Sequence, residues 1–505
     1  EYVGEDWDVL KKYPIKANHT LVINGTGKFC TPGFIDSHVH LLAAGLSTSD
    51  HFVDLHSVTT QQEFTQKISD AVKTKKEGEW VQGGSWNNVN WGGQYPNKTW
   101  IDSVSPSNPV YLEHWSSHLV LVNSVALAQF KITKETPEIE GGVIGRDQNG
   151  EPNGLLFDEA MGLVTPAMPS EEQSKSAIKS AMKELNKFGI TSAVNMGSFN
   201  EYKLHRQLAN DNNLTLRVMS ATPLHQWQNM SNEITYLKEN GLYDNNYLFV
   251  GMLKGFADGA LGSHTAALID AYADQPNNKG VLVTPPQDLS QWVNEADKHK
   301  LQVCIHAIGD EANRLTLEIY DNVTAANGRR DRRYRIEHAQ QVQLQHIESF
   351  KKNKIIASLQ PIHMVDDFEY ASELLGDRTV DLYRLFSLNN ATTTVYGSDW
   401  SVASPDVRLG IVAAMSRQSK KYPQGYNLEE SVPRIEDVLK SYTVHAAHAM
   451  FKEEQVGKIK EAQFADITIW DSSLIDLANN KQWEALKSVK VHKTIVGGKV
   501  VYSNE

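Results

Sequence analysis

Cysteine is almost missing from this chain. Its two residues, Cys30 and Cys304, both lie inside apolar, strand-like segments, so a disulfide framework is excluded as the source of stability. No apolar run approaches the roughly 18 residues that a membrane-crossing helix needs, and no repeat or low-complexity tract occurs. Positive charge is the minority sign, 49 Lys and Arg against 61 Asp and Glu, which argues against a nucleic-acid partner. What is present suits a soluble globular enzyme: 40% hydrophobic residues, 22% charged, and 11 tryptophans that imply a substantial core or a lined pocket. A length of 505 residues fits one large α/β barrel or several average domains.

The informative stretch is Thr31-Pro32-Gly33-Phe34-Ile35-Asp36-Ser37-His38-Val39-His40, an apolar strand ending in two histidines one residue apart. Strand side chains alternate faces, so His38 and His40 share one side and are placed to share one metal ion. Alone the pair says little. Further strands, however, end on polar groups. Lys254 lies within Leu248–Phe256, where a bare ammonium is costly and must be paired, neutral or chemically converted, for example carbamylated. His306 closes Gln302–His306, His338 closes Tyr334–His338, and Asp399 closes Thr394–Asp399. Each of these histidines alone reads better as a hydrogen-bonded core residue. Four strand ends together are harder to dismiss, because strand C-termini of a (β/α) barrel converge on one mouth.

The donor inventory is therefore His38, His40, Lys254, His306, His338 and Asp399. Imidazoles with an oxygen donor suit zinc and other divalent first-row ions, and six donors favour two ions or one in an expanded shell. Two ions can share a water and polarise a substrate carbonyl, with Asp399 as general base.

Residues 31–450 alternate short strands with helical patterns such as Glu171–Phe188 and Asp310–Ala326, the mark of a parallel sheet covered by helices. Nine strand candidates, Val110–Leu112 among them, compete for eight barrel places. Residues 79–165, with Trp80, Trp86, Trp91 and Trp100, are expected to be an insertion that caps the site with aromatic walls. Residues 1–30, with an expected hairpin about Asn24-Gly25, and 451–505, with a Gly497-Gly498 turn, are β-rich, so both ends are expected to build one small β domain. Neither a methionine nor a leader pattern opens the chain at Glu1, which suggests a missing upstream segment. Seven Asn-x-Ser/Thr sequons (Asn18, Asn24, Asn97, Asn213, Asn229, Asn322, Asn390) permit a secretory route without requiring it, so the compartment stays open.

These motifs resemble the amidohydrolase superfamily and, within it, the YtcJ-like branch (amidohydrolase family 3), which includes N-substituted formamide deformylases. The resemblance spans the whole chain and rests on Pro32–His40, Lys254 with Asp258–Ser263, His306–Asp310, Arg335–Gln340, Gln360–His363 and Gly397–Asp399. It implies a distorted (β/α)8 TIM barrel plus a small β-sandwich-like domain built from both chain ends. It also implies a divalent metal centre of one or two ions, most simply zinc, that hydrolyses C–N bonds other than peptide bonds in a small amide-like molecule. By the same resemblance His38, His40, His306 and His338 are ligands, Lys254 is a carboxylated bridge, and Asp399 is ligand and base. Asn195 stands where the family pattern leads one to expect aspartate.

His363, Gln360 and Trp400 are expected to contact substrate. His118 and His264 are candidates to line the mouth but read better as structural or solvent-facing, and His445 and His448 as packing residues of a helix. Alternatives are hydrolysis of esters or lactones, deamination, or a non-catalytic paralogue serving assembly or signalling. A homo-oligomer is compatible with all of these.

Overall fold

The first strand, β1 (Phe29–Pro32), runs into β2 (Phe34–Val39), whose six residues are all buried. Burial on both faces is what a parallel barrel strand requires, and it explains the unbroken apolar run before His38. The computed structural model describes residues 11–13, 22–48, 52–116, 118–139, 141–166 and 169–504. Of the expected N-terminal hairpin, Leu21 falls outside these residues. Val22 and Ile23 are not strand, and the turn is at Thr26-Gly27, where Lys28 N–H donates to the Gly25 carbonyl at 2.9 Å.

Between β2 and the next barrel strand the chain builds a separate six-stranded sheet. Its strands are β3 (Phe52–Asp54), β4 (Val81–Trp86), β5 (Val110–His114), β6 (Leu119–Val122), β7 (Gly142–Arg146) and β8 (Pro152–Asp158), in the order β3-β4-β5-β6-β8-β7. Val110–Leu112, one of the nine candidates for eight places, belongs to this sheet, and one boundary is corrected: the sheet begins at Phe52, well before residue 79. A short apolar run does not reveal which sheet it joins.

Trp86, Trp91 and Trp100 form the core of this region rather than a cap over the site. The Phe64 ring lies 6.4 Å from Trp86, 5.9 Å from Trp91 and 5.9 Å from Trp100, and Trp86 Nε1 donates to the Leu112 carbonyl at 2.8 Å.

The barrel continues with β9 (Ile190–Met196), β10 (Arg217–Pro223), β11 (Leu248–Phe256), β12 (Gln302–Ala307), β13 (Arg335–His338), β14 (Ile356–Leu359) and β15 (Thr394–Tyr396). With β2 they form one eight-stranded parallel sheet in the order β15-β14-β13-β12-β11-β10-β9-β2. The last seam, from β15 back to β2, is closed just beyond the strands. Asp399 N–H donates to the His38 carbonyl and His40 N–H to the Trp400 carbonyl, both at 2.7 Å. The Asp36 carboxylate rivets the same seam by accepting from Ser398 N–H at 3.0 Å, Ser398 Oγ–H at 2.6 Å and His38 N–H at 3.1 Å. Burial pushes this carboxyl up to about 7, against the pull of its Ser398 hydrogen bonds.

The chain ends close a second body. β1 pairs antiparallel with β16 (Ile467–Trp470), which pairs with β17 (Val491–Val496) and then β18 (Lys499–Ser503). Among the described residues the small β domain is this single four-stranded sheet. Buried Arg217 on β10 donates to both oxygens of Asp466 at 2.7 and 2.9 Å, and Thr468 and Thr494 hydroxyls donate to the Gly189 and Asn186 carbonyls. The sheet is thereby fixed beside the N-terminal ends of β9 and β10, away from the strand C-termini.

Candidate metal centre and active site

All six predicted donors line one cavity of about 470 Å³ at the barrel mouth. His38 Nε2 and His40 Nε2 approach the same oxygen, Asp399 Oδ1, at 3.3 and 3.0 Å. His338 completes a group with His38 and Asp399 in which one ligand atom from each lies within 4.8 Å of the others. Lys254 Nζ is 3.3 Å from His38 Nε2, and the His306 ring is 4.5 Å from that of His338.

Whether these groups fit a cation is decided by their spare lone pairs. His38 Nδ1 is taken by Glu337 Oε2 at 2.7 Å, which turns Nε2 toward the cavity. His306 Nε2 donates to the Gly259 carbonyl at 3.0 Å, which frees Nδ1. Asp399 Oδ1 is buried and makes no aligned hydrogen bond, although two imidazole nitrogens face it. Acceptor atoms facing one another without shared protons are suited to a positive ion between them. The donors fit.

The electrostatics agree. Burial, with the neighbouring Lys254 ammonium, holds His38 down to about 4. Burial likewise holds His306 and His338 well below the usual imidazole range. All three are therefore neutral, the form that ligates a metal. Burial alone raises Asp399, but His38 and His40 outweigh it and hold the carboxyl well below its usual range. Burial also lowers Lys254, against the pull of the Glu337 and Asp399 carboxylates. The backbone is strained here as well: His338, Ala339 and Asp399 have φ of 70°, 40° and 58°, costly for residues with a Cβ and common at functional sites.

Three further groups support the centre, and the sequence reading gave none of them this task. Glu337 accepts from Arg335 Nε at 2.7 Å as well as engaging His38, and Arg335 also donates to the Ser37 carbonyl, so one buried pair fixes β13 to β2. The signal was present: Arg335 and Glu337, two apart, share a face of a fully buried strand. Asn195 Oδ1 accepts from Leu41 N–H at 2.7 Å and so sets the turn that carries His40, a task the expected aspartate could also perform. His118, expected to be structural, lines the cavity with Nδ1 2.9 Å from Asp158 and its ring 6.2 Å from that of His306.

The predicted substrate contacts divide. His363 lines the cavity, its ring 6.3 Å from His338 and its Nε2 donating to the Ser398 carbonyl at 2.9 Å. Gln360 does not: it is 1% exposed and its amide turns back to the Ser358 carbonyl at 3.3 Å. Gln340 stands on the wall in its place, hydrogen-bonded to Asp367. Trp400 is also off the wall, with its ring in the hydrophobic core and its backbone closing the barrel seam. Nor do Trp86 and Trp91 reach the cavity. Its aromatic faces are Phe52, Tyr111 and Trp115 from the insertion and Phe256 and Tyr370 from the barrel. His264 pairs with Asp274 at 2.8 Å, outside the wall, and His445 packs on β15 through the Thr394 carbonyl at 3.2 Å.

A nearly closed eight-stranded parallel barrel with histidines and an acid at its strand ends is the architecture of the metal-dependent hydrolases. Residues 21–502 match the amidohydrolase family, and the chain belongs to it. Among its relatives, "Protein LONG AFTER FAR-RED 3" of Arabidopsis thaliana is 36% identical, covering 96% of this chain and 84% of that one. "Putative amidohydrolase YtcJ" of Bacillus subtilis is 31% identical over 97% of this chain and 92% of its own. "N-substituted formamide deformylase" of Arthrobacter pascens is 24% identical over 95% and 90%. An uncharacterized metal-dependent hydrolase from Pyrococcus horikoshii shares the fold, with a TM-score of 0.73 at 24% identity, covering 92% of this chain and 90% of that one.

Proposed function

We propose that this chain hydrolyses a C–N bond, other than a peptide bond, in a small amide-like molecule. The observation that carries the proposal is the convergence of His38, His338 and Asp399, with His40, Lys254 and His306 around them, in one cavity. A divalent first-row cation, zinc by the character of the donors, would be held by these side chains and would supply Lewis acidity for polarising a carbonyl and activating water. Lys254, buried beside His38, is the group to take up carbon dioxide as a carbamate, which would add anionic oxygen donors to the set.

The chain's own groups handle orientation and protons. Glu337 fixes the His38 ring through Nδ1. Asp399 accepts a proton from the attacking water and returns it to the departing nitrogen, so that the amide becomes a carboxylic acid and an amine. His363, Gln340 and the insertion's His118 line the walls and orient the substrate.

Support from the relatives is mixed. The Bacillus and Arthrobacter names denote amidohydrolase and deformylase chemistry. The Arabidopsis name refers to far-red light and to no reaction, which favours a second reading in which a metal-binding barrel serves a regulatory role. Metal analysis of the purified chain, with a panel of formamides, aryl amides, cyclic amides and esters, separates the two. The proposal expects stoichiometric metal and turnover of an amide. Bound metal with no turnover across the panel favours regulation, and turnover confined to esters overturns the C–N assignment.

A further inference from the structure

The barrel mouth opens into a second cavity, of about 380 Å³, between the Gly197–Glu201 turn after β9, the Pro223–His225 turn after β10, and Trp292 on the helix Pro286–Lys298. Its size falls in the range of small-molecule sites, roughly 300–1,000 Å³. His40, Lys254 and Phe256 line both this lobe and the main cavity. A molecule whose reacting atoms rest against His40 and Lys254 therefore has room on two sides.

The far wall of the lobe is apolar. Met196, Leu224 and Trp292 form it, and the His225 ring lies 5.7 Å from the Trp292 ring. Its one carboxylate, Glu201, is held through Oε2, which accepts from Ser198 N–H at 2.6 Å in the capping box that begins the helix Phe199–Asn210. Phe256 supplies an independent sign. It ends a strand whose other residues are buried or half-buried, yet it is itself 41% exposed and lines both cavities. An exposed aromatic ring at a site mouth is a contact surface for an apolar ligand group.

We propose that this lobe is a substrate subsite for an uncharged aryl or branched-alkyl group, and that the preferred substrates are secondary amides with an apolar group on each side of the scissile C–N bond. The inference rests on the hydrolase reading for its kinetic part but not for its binding part.

Two arms test it. In the first, benzyl alcohol is titrated onto the full chain by ligand-observed NMR and soaked into crystals. Density beside Trp292 is expected, with binding weakened at least about fivefold by Thr284→Trp, which fills the lobe, and unchanged by Ala43→Trp, which fills the main cavity. Weakening by Ala43→Trp alone, or by neither, overturns the proposal. In the second arm, Thr284→Trp is expected to raise KM for N-benzyl-phenylacetamide about tenfold and leave N-benzylformamide unchanged, while Trp292→Ala shifts preference toward bulkier groups. Equal responses to the two amides overturn it. Benzyl alcohol seated in the lobe of a chain that hydrolyses no amide removes the hydrolase reading and leaves the subsite. Amide turnover with an empty lobe does the reverse.

Discussion

The Glu337 carboxylate lies 2.7 Å from Nδ1 of His38 while also accepting from the Arg335 guanidinium, with all three side chains buried. Two residues 299 positions apart thus settle which nitrogen of a candidate ligand faces the cavity. Partners of this kind orient metal-bound imidazoles, and their loss typically costs about 10–100-fold in metal affinity. Glu337→Gln is therefore expected to weaken zinc binding by that factor, read by competition with a chromophoric chelator. Unchanged affinity would show that His38 is not a ligand.

Asp399 is the group assigned to proton transfer. Asp399→Asn keeps the shape and removes the base, so kcat is expected to fall by about 10²–10⁴-fold with the circular dichroism spectrum unchanged. Near-native turnover would remove Asp399 from the proposed chemistry.

The aromatic residues of the insertion make a prediction that separates packing from recognition. Trp86 is fully buried among Phe64, Trp91 and Trp100, whereas Trp115 stands on the cavity wall. Trp86→Ala is expected to destabilise by about 3–5 kcal/mol, the usual cost of truncating a buried tryptophan. Trp115→Ala is expected to leave the melting temperature nearly unchanged and to raise KM for bulky amides more than for small ones. The reverse pattern would mean that the insertion core, not its edge, shapes the pocket.

These tryptophans also show what a sequence leaves undetermined. The five strands that lead to His38, Lys254, His306, His338 and Asp399 were legible because each is a short apolar run that carries or runs into a polar group, a local pattern. Which sheet Val110–Leu112 joins is decided by pairing with β4 and β6, a long-range matter that no local pattern encodes. Gln360 and Gln340 each follow a barrel strand. Only the three-dimensional path turns Gln360 back on Ser358 and places Gln340 on the wall. Similarly, His118 reaches the centre because the insertion folds over the mouth, and its spacing from His306 along the chain gives no hint of that.

Stability should depend on pH through a histidine that does not line either cavity. His205, in the helix Phe199–Asn210, is fully buried, and burial lowers it to about 4. Its folded pKa lies below the unfolded value of about 6.5. The unfolded chain therefore binds the extra proton, and stability falls as pH drops from about 6.5 toward 4, by up to about 1.4 kcal/mol per pH unit from this group. His205→Leu is expected to flatten the fall in denaturant midpoint between pH 6.5 and 4.5. An unchanged slope would assign the acid sensitivity to other groups.

The central claim is that the strand-end donors hold a cation, and anomalous diffraction from crystals grown with zinc tests it most directly. Data collected on either side of the zinc edge are predicted to show a peak about 2.0–2.2 Å from His38 Nε2, His40 Nε2 and an Asp399 oxygen. A map from fully zinc-loaded crystals with no peak in that cavity would contradict the account.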